Sequence, residues 1–102
     1  MPNAPESWGI VSVGELIALL EDTTARLAAQ FQNLALDQGS YHRKFWSHWQ
    51  TLPEDMSVAA MNRDCELVCK ELQEEVILGT SLLEALKAKQ AALIAVIAAR
   101  SS

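Results

Sequence analysis

Residues 13–52, VGELIALLEDTTARLAAQFQNLALDQGSYHRKFWSHWQTL, are the stretch whose reading decides the fold. Large apolar side chains recur in it at Val13, Ile17, Leu20, Leu27, Phe31, Leu34, Tyr41, Phe45 and Leu52. Their steps are three, four and seven residues, which places them on one helical face. The phase survives Gly39, so the pattern predicts one long helix from about residue 13 to about residue 50. Asp37-Gln38-Gly39-Ser40 is its weakest stretch, because glycine costs about 1 kcal/mol inside a helix. Ser12 with Glu15 has the spacing of a capping box and marks the start.

Working outward, Thr51-Leu52-Pro53-Glu54-Asp55 is a turn, since proline biases Leu52 away from helix. A second stripe follows at Val58, Met61, Cys65, Val68, Leu72, Val76, Leu83, Leu86, Leu93 and Ile97, capped by Ser57 or Asp55. It predicts a second helix over about 58–99, with Gly79-Thr80-Ser81 as a possible bend. Two matched stripes joined by a short turn predict an all-α fold, a long antiparallel two-helix hairpin. Folding about the turn would set Gly39 opposite Lys70, Gln30 opposite Gly79 and His48 opposite Met61. Arg43 and Lys44 would then lie near Glu66. Residues 1–12 are expected to be an irregular arm, with Trp8 packed on the body, and residues 13–102 a single hairpin domain.

A two-helix layer needs something else to cover its apolar surface. Leu16, Leu19, Leu67, Ile77, Leu78, Leu82 and Ile94 fall beside the main stripes and widen them. The expectation is therefore a homodimer or larger helical bundle. Its interface would draw on Leu20, Leu27, Phe31, Leu34, Leu72, Val76, Leu83 and Leu86.

The composition narrows the function. Half the residues are apolar, which is too many for a disordered chain, and the net charge is −5. Residues 1–51 carry three basic and five acidic side chains, and residues 52–102 carry five and eight. Neither half is a basic footprint, so nucleic-acid binding through phosphate neutralisation is disfavoured. The acidic run from Glu54 to Glu75 holds seven carboxylates, few for a mimic of DNA. The longest apolar run, Ala91 to Ala99, spans about 14 Å as a helix, half a bilayer core. No membrane span and no signal peptide are expected, and the expected location is cytoplasmic. Cys65 and Cys69 share a helix face at a spacing that strains a disulfide, so reduced, buried thiols are expected. With His42 nearby they still fall short of a four-ligand zinc set, and no metal or cofactor is expected. A slender hairpin offers no recess for a substrate, so the chain is not expected to be an enzyme.

The densest chemistry lies in Tyr41-His42-Arg43-Lys44-Phe45-Trp46-Ser47-His48-Trp49. Tyr41, Phe45 and His48 continue the core stripe. Trp46 lies off it, and a tryptophan exposed near a hairpin tip would anchor a partner. Trp46, Trp49, Arg43, Lys44 and His42 are the candidate partner-binding residues. A different reading gives the same residues to single-stranded nucleic acid, with bases stacked on Trp46 and Trp49 and phosphates at Arg43 and Lys44. A third is a purely structural oligomer.

The order of features resembles a group of small alanine- and leucine-rich helical-hairpin proteins of tailed bacteriophages. The pieces that carry the likeness are Tyr41-His42-Arg43-Lys44-Phe45, then Ser57-Val58-Ala59-Ala60 with Arg63. Gly79-Thr80-Ser81-Leu82-Leu83-Glu84-Ala85-Leu86-Lys87-Ala88 completes it. The likeness covers about residues 13–90. Trp46, Trp49 and the cysteine pair stand outside the pattern. Some of these proteins are encoded among recombination and replication genes. The resemblance implies a non-enzymatic accessory that binds a phage or host protein inside an infected bacterium, and it brings no catalytic residues. Length and acidity are also similar to secreted hairpins with a Trp-x-Gly turn. Trp46-Ser47-His48 and Trp49-Gln50-Thr51 lack that glycine.

Overall fold

A computed structural model of the chain describes residues 8–101. Helix α1 runs Val13–Trp49, α2 runs Val58–Val68 and α3 runs Lys70–Ser101, and the described residues include no strand. The fold is all-α. The first seven residues of the expected arm lie outside the described residues.

Local chemistry sets the helix starts. The amide of Glu15 donates to Ser12 Oγ at 3.1 Å, and that of Ala60 donates to Ser57 Oγ at 3.2 Å. Each serine satisfies one of the amides that a helix start leaves without a partner. At the end of α1 the amide and hydroxyl of Thr51 both donate to the His48 carbonyl, at 3.0 and 2.7 Å. The Met56 amide then closes on the Pro53 carbonyl at 3.2 Å.

Gly39 leaves α1 unbroken, and Gly79 lies within α3. The expected single second helix is instead divided at Cys69, whose ψ of 9° departs from helical geometry. The ladder bonds persist across the break, from the Cys69 amide to Cys65 and from the Gln73 amide to Cys69. No glycine or proline stands there. The break coincides with a tertiary contact, the Cys69 thiol donating to the Tyr41 carbonyl of α1 at 3.9 Å.

The chain divides into two compact units, Met1–Phe31 with Leu82–Ser102, and Gln32–Ser81. In the first, Trp8, Leu16, Leu19 and Leu93 form a buried cluster, with Val11, Leu20, Val96 and Ile97 against it. Trp8 thus packs on the body as expected. Arg100 on α3 donates to the carbonyls of Trp8 and Val11, holding the segment before α1. The Trp8 indole nitrogen is buried with no hydrogen-bond partner. Leu16 and Leu19, expected beside the stripe, are its centre, whereas Ile17 and Phe31 are exposed. The stripe turns because Thr23 belongs to it. Thr23 is fully buried and donates its hydroxyl to the Leu19 carbonyl at 2.8 Å, so it enters the core with its polar atom satisfied.

In the second unit the buried residues are Leu34, Cys65 and Cys69. Cys69 takes the core position expected of Val68, and Val58 is exposed rather than in the stripe. His48 faces Asp64, at 2.7 Å, where Met61 was expected. That is a shift of about one helical turn, whereas the Tyr41–Cys69 contact lies within a residue of the expected register.

Two substitutions test this packing by urea unfolding. Leu16→Ala should cost about 2–5 kcal/mol, because it empties a fully buried position, while Ile17→Ala next to it should cost less than half as much. Gly39→Ala should stabilise the protein by about 1 kcal/mol. The new methyl meets only the Arg43 guanidinium at 3.2 Å, the far end of a flexible side chain.

Candidate functional site

The aromatic residues of α1 come together as its periodicity requires. Tyr41, Phe45 and Trp49 repeat at four-residue steps, with ring centroids 5.9 and 6.2 Å apart. Trp46 closes on both neighbours, at 5.1 Å edge-on to Phe45 and 5.4 Å from Trp49. His42 stands edge-on to Tyr41 at 5.6 Å. Within this ladder Phe45 and Trp49 are half-buried, and Trp46 keeps 53% of its surface exposed. The expectation that Trp46 lies off the core agrees with this placement.

The basic residues do not join the rings. Arg43 turns back along its own helix and donates to Ser40 Oγ at 3.3 Å, and Lys44 is exposed. The expected pairing of Arg43 and Lys44 with acidic residues of the second helix is not formed. Ion pairs form between Asp22 and Arg26 and between Glu84 and Lys87, and His48 shares a hydrogen bond with Asp64. The physical reason is rotation: Gly39, Ser40 and Arg43 share a face turned away from the seam between the helices.

Beside the ladder an open groove of about 290 Å³ runs between α1 and α3, lined by Gln38, Tyr41, His42, Gln73, Val76 and Ile77. That volume is at the lower limit for small-molecule sites. Tyr41 and His42 are its titratable residues. The sequence reading placed Ile77 beside the apolar stripe and Gln38 in the weakest stretch of α1 without assigning either to a site, and it passed over Gln73; the signal that could have joined them is their spacing from Tyr41 and Val76.

Cys65 and Cys69 are free, fully buried thiols, as expected. Among the described residues no group of three or more His, Cys, Asp or Glu side chains is placed to hold a metal ion. Burial pushes the Cys65 thiol above its usual value, and the charges of Asp64 and Cys69 add to the rise. Burial likewise raises the Tyr41 phenol, with further contributions from Cys69, Glu66 and Cys65.

The residues expected at an oligomer interface have mixed positions. Leu34 and Leu83 are buried within the chain, and Leu20, Leu27, Leu72, Val76 and Leu86 are half-buried. Phe31 is exposed, with the Lys87 ammonium 5.4 Å from its ring centre. Among the described residues no helix is long and apolar enough to cross a membrane. No family model, curated protein or solved structure matches the chain.

The raised thiol and phenol fix a pH dependence. Both groups lose a proton more readily in the unfolded chain, so their contribution is complete below the unfolded thiol's 9.0. It is lost as pH rises through the higher folded values. The urea midpoint should therefore fall as pH rises above 9.0, and Cys65→Ala should flatten that fall. A midpoint that rises over the range would contradict the assignment.

Proposed function

We propose that the chain is a non-enzymatic protein-binding module of the phage type, acting on a recombination, replication or host factor in the cytoplasm of an infected bacterium. In this reading the helices form an antiparallel hairpin, and hairpins associate into a homo-oligomeric bundle. The order of pairing supports the hairpin: His48 with Asp64 and the Tyr41 carbonyl with Cys69 in one unit, Thr24 with Gln90 in the other. The phage context and the class of partner rest on the sequence resemblance alone.

The observation that carries the binding role is Trp46. It is more than half exposed, yet ring contacts to Phe45 and Trp49 hold it in place. A large apolar side chain already ordered loses little entropy when a partner covers it. Trp49 and His42 flank it on the same ladder. Arg43 and Lys44 are exposed charges nearby, suited to the rim of a contact and its rate of formation.

Affinity capture from host lysate tests this, with tagged wild-type protein and a Trp46→Ala control. The expected result is one near-stoichiometric protein, lost in the variant while far-ultraviolet circular dichroism stays unchanged. Capture that is equal with both baits would remove Trp46 from the contact. A loss of helicity in Trp46→Ala would make the residue structural instead.

A further inference from the structure

We propose that the start of α1 and the end of α3, within unit Met1–Phe31 with Leu82–Ser102, form a receptor site for a short tryptophan-anchored segment of another protein. Trp8–Val11 of this chain occupies the site as a built-in pseudo-ligand. None of the residues assigned to the Trp46 contact takes part, so the two sites stand or fall separately.

The way residues 8–11 are held defines what the site takes. They belong to no helix or strand. Trp8 is 2% exposed and Val11 is half-buried, while Gly9 and Ile10 between them face solvent. Two side chains spaced three residues apart therefore make the apolar contact. They cluster with Leu16 and Leu19 of α1 and with Leu93, Val96 and Ile97 of α3. Arg100 supplies the polar half, its guanidinium donating to the Trp8 carbonyl at 3.1 Å and to the Val11 carbonyl. A guanidinium on two main-chain carbonyls reads the course of a backbone and leaves the side chains to the apolar surface. The pattern recognised is a tryptophan, two solvent-facing residues and a branched apolar residue, with the first and last carbonyls turned to one cation.

The hold is local, and it has a flaw. A segment outside the helix and strand ladders opens at far less cost than unfolding the whole chain. The Trp8 indole nitrogen is buried with no hydrogen-bond partner. A segment of another protein that sets an oxygen against its own indole N–H escapes that penalty, a gain of about tenfold or more. The same comparison separates another protein from a second copy of this chain. The segment of a second copy carries the identical flaw and competes with a tethered one, whose effective concentration is millimolar. The contact of Trp8 and Val11 is thus autoinhibitory, and its release uncovers Leu16, Leu19 and Leu93.

Peptide titration of the full chain, read by the methyl resonances of Leu16 and Leu93, tests this. The probe is the acetylated and amidated peptide of residues 8–12. It should bind Trp8→Ala, whose own segment no longer fills the site, and should bind wild type at least about tenfold more weakly. Adding Arg100→Ala to Trp8→Ala should weaken binding about tenfold, through the loss of charge-assisted hydrogen bonds. A probe that itself carries Trp8→Ala should not bind. Absence of a methyl shift in Trp8→Ala at millimolar probe overturns the inference, and so does binding indifferent to Arg100→Ala. Should Trp8→Ala lose its helicity, wild type with a probe bearing a nitroxide in place of Ser12 decides. Broadening confined to methyls of the Leu16 and Leu93 cluster supports the site; none, or uniform broadening of all leucines, overturns it. Inter-chain Overhauser contacts from Trp8 to Leu93 in mixed isotope-labelled wild type would give the site to a second copy and overturn the choice of partner.

Discussion

A pair of helix segments can bury only the one seam where they meet, and the rest of this structure depends on that constraint. Among the described residues each compact unit has only a short row of buried side chains: Trp8, Leu16, Leu19, Thr23, Leu83 and Leu93 in one, and Leu34, Cys65 and Cys69 in the other. At about 1.5–3 kcal/mol for each fully buried large side chain, so short a row leaves a narrow margin. Polar contacts at the ends of the helices therefore matter more than they would beneath a second layer. Arg100 on the carbonyls of Trp8 and Val11 and His48 on Asp64 are of this kind.

The same narrowness explains which residues occupy the seam. Helices can approach closely where the facing side chains are small, and Thr23, Cys65 and Cys69 are fully buried. Each brings a polar or weakly polar atom. Thr23 settles its hydroxyl on the carbonyl four residues back, and the Cys69 thiol reaches the Tyr41 carbonyl across the seam. The second of these contacts lies at the break between α2 and α3. The raised Cys65 and Tyr41 protonation values follow from the same burial, so the chemistry of the seam and its packing have one cause.

What the seam does not use lies on the surface. α1 presents an aromatic ladder whose outermost member, Trp46, is fixed by its neighbours and open to solvent. Next to it the groove from Gln38 to Ile77 offers an uncharged, partly apolar channel on an otherwise acidic chain. The held tryptophan and the neutral groove are distinct features of the surface. Arg43, three residues before Trp46 on the same helix, engages its guanidinium with Ser40 and with no acidic partner.

Much of this was legible in the chain. The helical class, the extent of α1, the serine caps, the proline turn, the buried thiols and the position of Trp46 follow from periodicity and from capping chemistry, which act within a few residues. The sequence by itself determined those features because local hydrogen bonds and a 3.6-residue repeat need no distant information. It left open which of two adjacent apolar residues faces the seam. Leu16 and Ile17, or Val68 and Cys69, differ by about 100° of rotation; a hydrophobic pattern does not rank the first two, which are isomers, and in the second pair it favours the bulkier valine. Only the tertiary structure decided those, together with the pairing of His48 with Asp64, the break at Cys69 and the groove at Gln38 and Ile77. Each depends on how closely the second helix approaches and at what register, and both are set by small buried side chains that a hydrophobic pattern passes over.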